Sequence, residues 1–317
     1  MSLAIARRLD LTTLLPFAAT VLLILGGSLF FPQMLGIGYL SQQLQIAAFL
    51  GVIAMGATIV ILLGHIDLSV PWVLGGAALI STTLAGTGDP LLTALAIPAA
   101  LAFGGLIGLI NAVGVALLRI PSMVWTLAVN SMLLGISVLY TGGFNPKGEA
   151  SATMNWLATG KLAGIPVAFL LWMAVAVGLA LMLHRTGFGR YLSAIGYNEK
   201  ATFLSGVSTP SVLFAAFSIA GLCSALGGVL LAGYANQAYQ SMGDPYLLPT
   251  IAAVVIGGTS ILGGKGGLLG TVGGVFFITL LNSILSVMQM SDAWRSIIFG
   301  VLIITMLMVQ TLRGREG

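Results

Sequence analysis

Residues 40–64 read LSQQLQIAAFLGVIAMGATIVILLG, and no charged side chain falls between Gln45 and His65. A helix that crosses a bilayer needs roughly 20 mostly apolar residues, and this stretch supplies them. Segments of the same kind recur on both sides, at 12–31, 69–86, 90–118, 122–141, 165–184, 210–234, 247–263, 268–288 and 293–312. The segment 90–118 is long enough to tilt or to contain a break, and 247–263 is short and rich in glycine. Composition agrees with this reading. The 317 residues are 58% hydrophobic and 6% charged, with a mean hydropathy of +1.09, whereas an average soluble domain is about a quarter charged. The solvent for this much apolar surface is lipid. The expected fold class is all-α, a polytopic transmembrane helical bundle of about ten spans with broken helices. Residues 1–317 form a single transmembrane domain with short loops.

The basic residues set the expected orientation. With the N-terminus in the cytoplasm and ten alternating spans, Arg7, Arg8, Arg119, Arg185, Arg190, Lys200, Lys265, Arg313 and Arg315 fall inside. Lys147, Lys161 and Arg295 fall outside. This is the bias of the positive-inside rule, and it makes both termini cytoplasmic. No small-residue cleavage site follows the apolar run after Arg7 and Arg8, so the first span stays. The net charge of +4 is thus topology and not nucleic-acid binding. The single Cys223 lies in an apolar run and reads as a small buried hydrophobe. The 43 glycines let helices approach closely where lipid removes the hydrophobic drive for packing. No clean internal repeat is visible.

Three stretches carry unusual chemistry. Gly64-His65-Ile66-Asp67-Leu68-Ser69-Val70-Pro71-Trp72 places an acid between two spans, which is costly unless it is paired, hydrated or at a helix end. Gly64 can end one helix, and Asp67 or Ser69 can cap the next, with Pro71 in its first turn. Asp67 is then either a plain cap or part of a break that shapes a translocation path, and the two readings are compatible. In the inner loop, Asn198 is a good N-cap, Glu199 suits a first turn, and Gly206 is a good terminator. Ala201, Phe203 and Leu204 give a small apolar face. The expectation is a short two-turn cytoplasmic helix within 196–207, either a bare connector or a docking helix. The third stretch, Ile256-Gly257-Gly258-Thr259-Ser260-Ile261-Leu262-Gly263-Gly264-Lys265-Gly266-Gly267, fails the phosphate-loop pattern G-x-x-x-x-G-K-[ST], since Thr259 and Gly266 stand where Gly and Ser/Thr are needed. It reads as a tight turn between spans with Lys265 at the cytoplasmic surface.

Gln45, Asn111, Asn130, Asn282 and Ser283 are polar positions within spans. Each alone is an ordinary interhelical hydrogen-bonding group. Together with Asp67 and Ser69 they can line a polar path for a neutral solute. His65 and His184 lack metal-ligand spacing, and no nucleophile–base pattern is present, so neither a catalytic nor a metal site is expected.

These stretches resemble the permease subunits of bacterial ABC importers for ribose, galactose, xylose, arabinose and the autoinducer-2 sugar derivative. The resemblance runs from about Gln45 to Leu312. The family's G-G-I-D-L-S-V-G stands here as Gly64-His65-Ile66-Asp67-Leu68-Ser69-Val70-Pro71, with His65 and Pro71 departing. Its inner-loop pattern appears as Phe188-Gly189-Arg190, Ala194-Ile195-Gly196-Tyr197-Asn198, Ala201-Thr202 and Ser205-Gly206-Val207, with Thr202 for an alanine. Its A-A-V-V-I-G-G-T-S-L-x-G-G-x-G appears as Ala252 to Gly266, and Asn111 also fits. The resemblance implies a second permease subunit, identical or homologous, two ABC ATPase subunits and a periplasmic sugar-binding protein, in the bacterial inner membrane. It makes Gly196, Asn198, Glu199, Ala201, Thr202, Phe203, Leu204, Ser205 and Gly206 the coupling contact to the ATPase. It leaves no cofactor in this chain, with ATP and Mg in the partner ATPase. The alternatives are an ion-coupled secondary transporter, for which Asp67 is the one candidate ion site, and an ABC permease for a nucleoside.

Overall fold

The computed structural model describes residues 11–144, 146 and 148–314, with side chains described for 14–308 apart from 145 and 147. Of the basic residues used above, Arg7, Arg8, Lys147 and Arg315 lie outside the described residues, and the Arg313 side chain lies outside the described side chains. Every expected span contains a helix: α1 (Leu11–Phe30), α2 (Ile37–Leu62), α3 (Val70–Ala85), α4 (Pro90–Ala112) and α5 (Ser122–Thr141) in the first half. The loop 142–164 carries α6 (Ala152–Thr159) and a small hairpin of β1 (Lys161–Leu162) and β2 (Ile165–Pro166). The second half holds α7 (Val167–Arg185), α8 (Gly187–Tyr197), α9 (Glu199–Leu204), α10 (Thr209–Ala235), α11 (Leu247–Ile256), α12 (Leu268–Val287) and α13 (Asp292–Gly314). The protein is all-α and polytopic.

Among the described residues, six helices are long and apolar enough to cross a membrane: α2, α4 with its extension to Leu117, α5, α7, α10 and α12. The expected span 69–86 is filled almost end to end by α3, whereas 247–263 is helical only as far as Ile256. At 1.5 Å per residue, the 16 residues of α3 and the 10 of α11 are too short to cross alone. Irregular chain precedes each, 64–69 before α3 and 236–246 before α11, the latter with a 3-10 turn at Asp244–Tyr246. The segment 90–118 does contain the irregularity its length allowed. Its last turns, Val113–Leu117, widen into a π-helix. There the Trp125 indole lies over Gly114 and donates to the Ile110 carbonyl (3.1 Å).

The packing contains a repeat that the sequence does not display. α2 packs on α11 and α12, and α10 packs on α3 and α4. Likewise α5 lies against α3, and α13 against α11. α2 and α10 cross as antiparallel neighbours, with Gly56 beside Ala220 and Cys223, and Gly227 beside Ile53. The units α2–α5 and α10–α13 are therefore inverted copies of one packing pattern. α2 and α10 sit at the centre, and most of the largest fully buried side chains, such as Phe49, Ile53, Phe217 and Leu230, come from them. Close approach is made by small residues. A Cβ on Gly104 would meet the Gly221 carbonyl, and one on Gly221 the Gly104 carbonyl, so α4 and α10 touch through backbone.

The two ends of the bundle differ. One end gathers the C-terminus of α2, the α4–α5 turn with Arg119, α8 and α9, and the turn 257–267 with Lys265. The other gathers residues 86, 148–150, 236–237 and the 161–166 hairpin.

Candidate functional site

Two features of the basic end form the candidate site: the break between α2 and α3, and the short helix α9 below it. The break begins with a helix stop. Gly64 adopts φ +81°, its N–H bonds the Ile61 carbonyl (2.9 Å), and the His65 N–H bonds the Val60 carbonyl (3.2 Å). This paired pattern satisfies the last carbonyls of α2 and needs a left-handed residue, which glycine supplies without a Cβ penalty.

The chain then runs without regular secondary structure to Val70. Non-helical backbone inside a membrane bundle must find partners within the protein. The first two turns of α5 provide them. Ser122 Oγ accepts from Ile66 N–H (3.2 Å), and Thr126 Oγ1 accepts from Leu68 N–H (2.9 Å). Asp67 Oδ1 accepts from both the N–H and the Oγ of Ser69 (2.8 and 2.6 Å). Asn111 Nδ2, two residues before the π-helix, donates to Ser69 Oγ (2.8 Å) and to Asp67 Oδ1 (3.4 Å). Asp67 is 8% exposed, and Ser69 and Asn111 are fully buried. Ser69 occupies the N-cap position of α3 but makes no side-chain cap bond, so Asp67 closes the turn. Asp67 also lines a narrow cavity between α2 and α11 with Ala57, Ile66 and Thr250.

The structure thus joins Asp67 and Ser69 of the break to Asn111 of α4, more than 40 residues along the chain. The other expected path residues lie elsewhere. Gln45 donates to the Ala158 carbonyl in the last turn of α6 (2.9 Å). Asn130 is half-buried in mid-α5, and Asn282 lies near the end of α12. Neighbouring Ser283 bonds Tyr39 and Gln43 (both 3.0 Å). Sequence reasoning did not single out Ser122 and Thr126, which hold the break.

The inner loop holds one more helix than expected. α8 is capped by Thr186 and carries Leu192 and Ile195 into the core. After it, Asn198 Oδ1 accepts from Ala201 N–H (3.0 Å), as an N-cap should, and α9 ends in a left-handed Gly206 (φ +85°). Phe203 and Leu204 stand 57% and 84% exposed, while Thr202 is buried. Two ties join this region to the break. Gly196 packs on the Leu62 carbonyl and the Gly264 N–H, which are hydrogen-bonded to each other (2.9 Å). Glu199 pairs with Arg119 in the α4–α5 turn (2.6 Å, side chains 33% and 59% exposed). An exposed ion pair contributes little, so Glu199→Gln should shift the thermal unfolding of the detergent-solubilised protein by no more than about 1 kcal/mol. A larger loss would mean that this pair, and not the glycine contact, holds α9.

Among the described residues no group of His, Cys, Asp and Glu is arranged to hold a metal ion. A multi-pass helical bundle with an inverted repeat, a buried polar break and an exposed helix at one end defines a membrane permease. A family model described as the branched-chain amino acid transport system / permease component matches residues 39–307, and the chain belongs to this family of ABC-importer permeases. It is 34% identical over 282 residues to the ribose import permease protein RbsC of Escherichia coli (strain K12), covering 88% of this chain and 87% of that protein. RbsC of Haemophilus influenzae is 33% identical over 306 residues, 95% of this chain and 93% of that protein. The autoinducer 2 import system permease protein LsrC of Escherichia coli (strain K12 / DH10B) is 34% identical over 298 residues, 94% and 85% of the two chains. These relatives are transport subunits. No solved structure matches the chain.

Proposed function

We propose that this chain is the membrane-spanning subunit of an ATP-driven importer for a small sugar, a pentose, hexose or related polar solute delivered by a periplasmic binding protein. The basic end is cytoplasmic, both termini lie on that side, and the chain crosses the inner membrane about ten times. On this reading α3 and α11 each complete a crossing with the irregular chain before them. A second permease subunit, identical or homologous, completes the path. ATP and Mg are bound by separate ATPase subunits that dock on α9.

The observation that carries the reading is the placement of α9. It exposes two large apolar side chains, Phe203 and Leu204, at a bundle end otherwise rich in basic residues. Its base, Gly196, is packed on the backbone at the end of α2, next to the helix break. A movement of α9 therefore moves the break, which is what coupling requires. The ATPase dimer drives transport only through different affinity for the two permease states, and a helix that inserts in one state and withdraws in the other supplies that difference. The ribose and autoinducer 2 relatives support the choice of a sugar.

The test is an assembled complex in liposomes. Cysteines replacing Ala201 and Phe203 should crosslink to the ATPase subunit, and uptake of ribose or autoinducer 2 should need ATP. An active complex in which neither position crosslinks would remove α9 from the interface. Solute uptake by the permease alone, without ATP, would overturn the importer reading.

A further inference from the structure

The segment Asn236-Gln237-Ala238-Tyr239-Gln240-Ser241-Met242-Gly243-Asp244 follows α10 and does not remain at the bundle end. It starts there, where the Asn236 carbonyl accepts from Ala150 N–H (3.1 Å) and Gln237 pairs with Glu149. It then runs inward between α3 and α5. Gln240 Nε2 donates to Thr141 Oγ1 (2.9 Å) at the end of α5. Three residues on, Gly243 packs against the Pro71 carbonyl in the first turn of α3. Pro71 adjoins Trp72 and Val73, which cluster with Val129 and Leu133 at the middle of α5. Gly243 thus lies near mid-depth, and Asp244 follows it.

Asp244, Tyr239 and Ser241 are exposed on this segment, while Ala238 and Met242 anchor it in the core. An exposed carboxylate at such a depth is costly against lipid. It is found there when it faces a water-filled cavity. Beside it a cleft is lined by Trp72, Ser137, Thr141, Tyr239, Gln240 and Ser241. The cleft itself has room for about one or two waters, so a ligand on this wall lies across its mouth, against the Tyr239 ring and the neutral polar groups.

We propose that segment 236–246 is the solute-contacting wall of the translocation path, and that the mouth of its cleft with α3 and α5 is a subsite for a neutral monosaccharide. The proposal deepens, and rests on, the sugar-import reading above. The Tyr239 ring offers an apolar face to the C–H side of a sugar ring. Ser241 exchanges hydrogen bonds with hydroxyls, beside the Gln240–Thr141 pair that ties the segment to α5. Asp244 accepts from adjacent hydroxyls, and bonds to a charged acceptor are the stronger ones. The Asp67 cluster differs, since Asp67, Ser69 and Asn111 bond one another and hold the break.

The test uses the complete importer with Cys223→Ala as background. Single cysteines at Ser241 and Asp244 are treated with a charged, membrane-impermeant methanethiosulfonate. Val177→Cys in mid-α7, where the native residue is 57% exposed, is the lipid-facing reference. Ser241→Cys and Asp244→Cys should react at least about tenfold faster, since the thiolate is the reactive form and needs water. Rates equal to the reference at both positions would overturn the wall. In uptake of ribose and autoinducer 2, Asp244→Asn and Tyr239→Ala should each lower the rate about tenfold or more with ATPase association intact. If the parent carries a probe and both variants carry it equally well, the subsite is wrong and the import reading stands. If the parent reacts at Ser241→Cys and Asp244→Cys yet carries neither probe with ATP, the sugar reading falls and the monosaccharide subsite with it.

Discussion

Gly196→Ala is expected to lower ATP-driven uptake by about tenfold or more and to destabilise the protein by about 1–3 kcal/mol, the usual cost of overpacking. The added Cβ falls on the Leu62 carbonyl and the Gly264 N–H, and within 3.0 Å of the Gly264 Cα. None of these is the end of a flexible side chain that can swing away. The two polar groups also bond each other, so a methyl there strains the contact between α2 and the 257–267 turn as well as the seat of α8. Function should suffer more than folding, because this contact is where α9 reaches the break. Gly178→Ala is the control, since a Cβ on Gly178 meets nothing within 4 Å. Uptake and melting temperature are read on both variants. Parent-like uptake by Gly196→Ala would show that coupling does not pass through this contact.

The parts of this architecture that were legible in the sequence are those set by neighbouring residues. A run such as 46–64 declares a helix in lipid by itself. Gly64, Asn198 and Gly206 act within two or three residues of their own position, and each does in the structure what its type suggests. The partnership of Asp67 and Ser69 is equally local. What the sequence left closed depends on residues far apart in the chain. Ser122 and Thr126 look like ordinary small polar residues of α5 until the segment 64–69 is laid against them. The π-turn at Val113–Leu117 packs against Trp125, which follows it across a tight turn. The inverted repeat resides in which helices touch, and the two halves carry different side chains at the contacts, so no self-similarity is printed in the letters. The segment 236–246 was missed because hydropathy marks it as a loop. Polar chain that folds back into the bundle and polar chain at the surface have the same composition, and only the contact of Gly243 with Pro71 separates them.

The same distinction governs the other large effect, at Asp67. Its Oδ1 accepts from Ser69 N–H, Ser69 Oγ and Asn111 Nδ2. An asparagine in its place keeps an oxygen that can accept all three, and the narrow cavity shared with Thr250, whose hydroxyl has no partner among the described residues, leaves an acceptor within the same space. An alanine keeps none. Two donors of Ser69 and one of Asn111 then lose a buried acceptor, although the Asn111–Ser69 bond survives. The expected result is that Asp67→Asn stays within about 1 kcal/mol of the parent and Asp67→Ala loses about 2–4 kcal/mol, since an orphaned buried donor costs more than a net hydrogen bond contributes. Thermal unfolding of the assembled complex reads the difference, and uptake should follow it, near parent level for asparagine and strongly reduced for alanine. The comparison also decides what energises transport. An ATP-coupled permease needs the turn that Asp67 closes and has no use for its charge. An ion-coupled carrier needs the charge itself. A well-folded Asp67→Asn complex with intact ATPase but no uptake would therefore place ion binding at the break and set the ATP-driven reading aside.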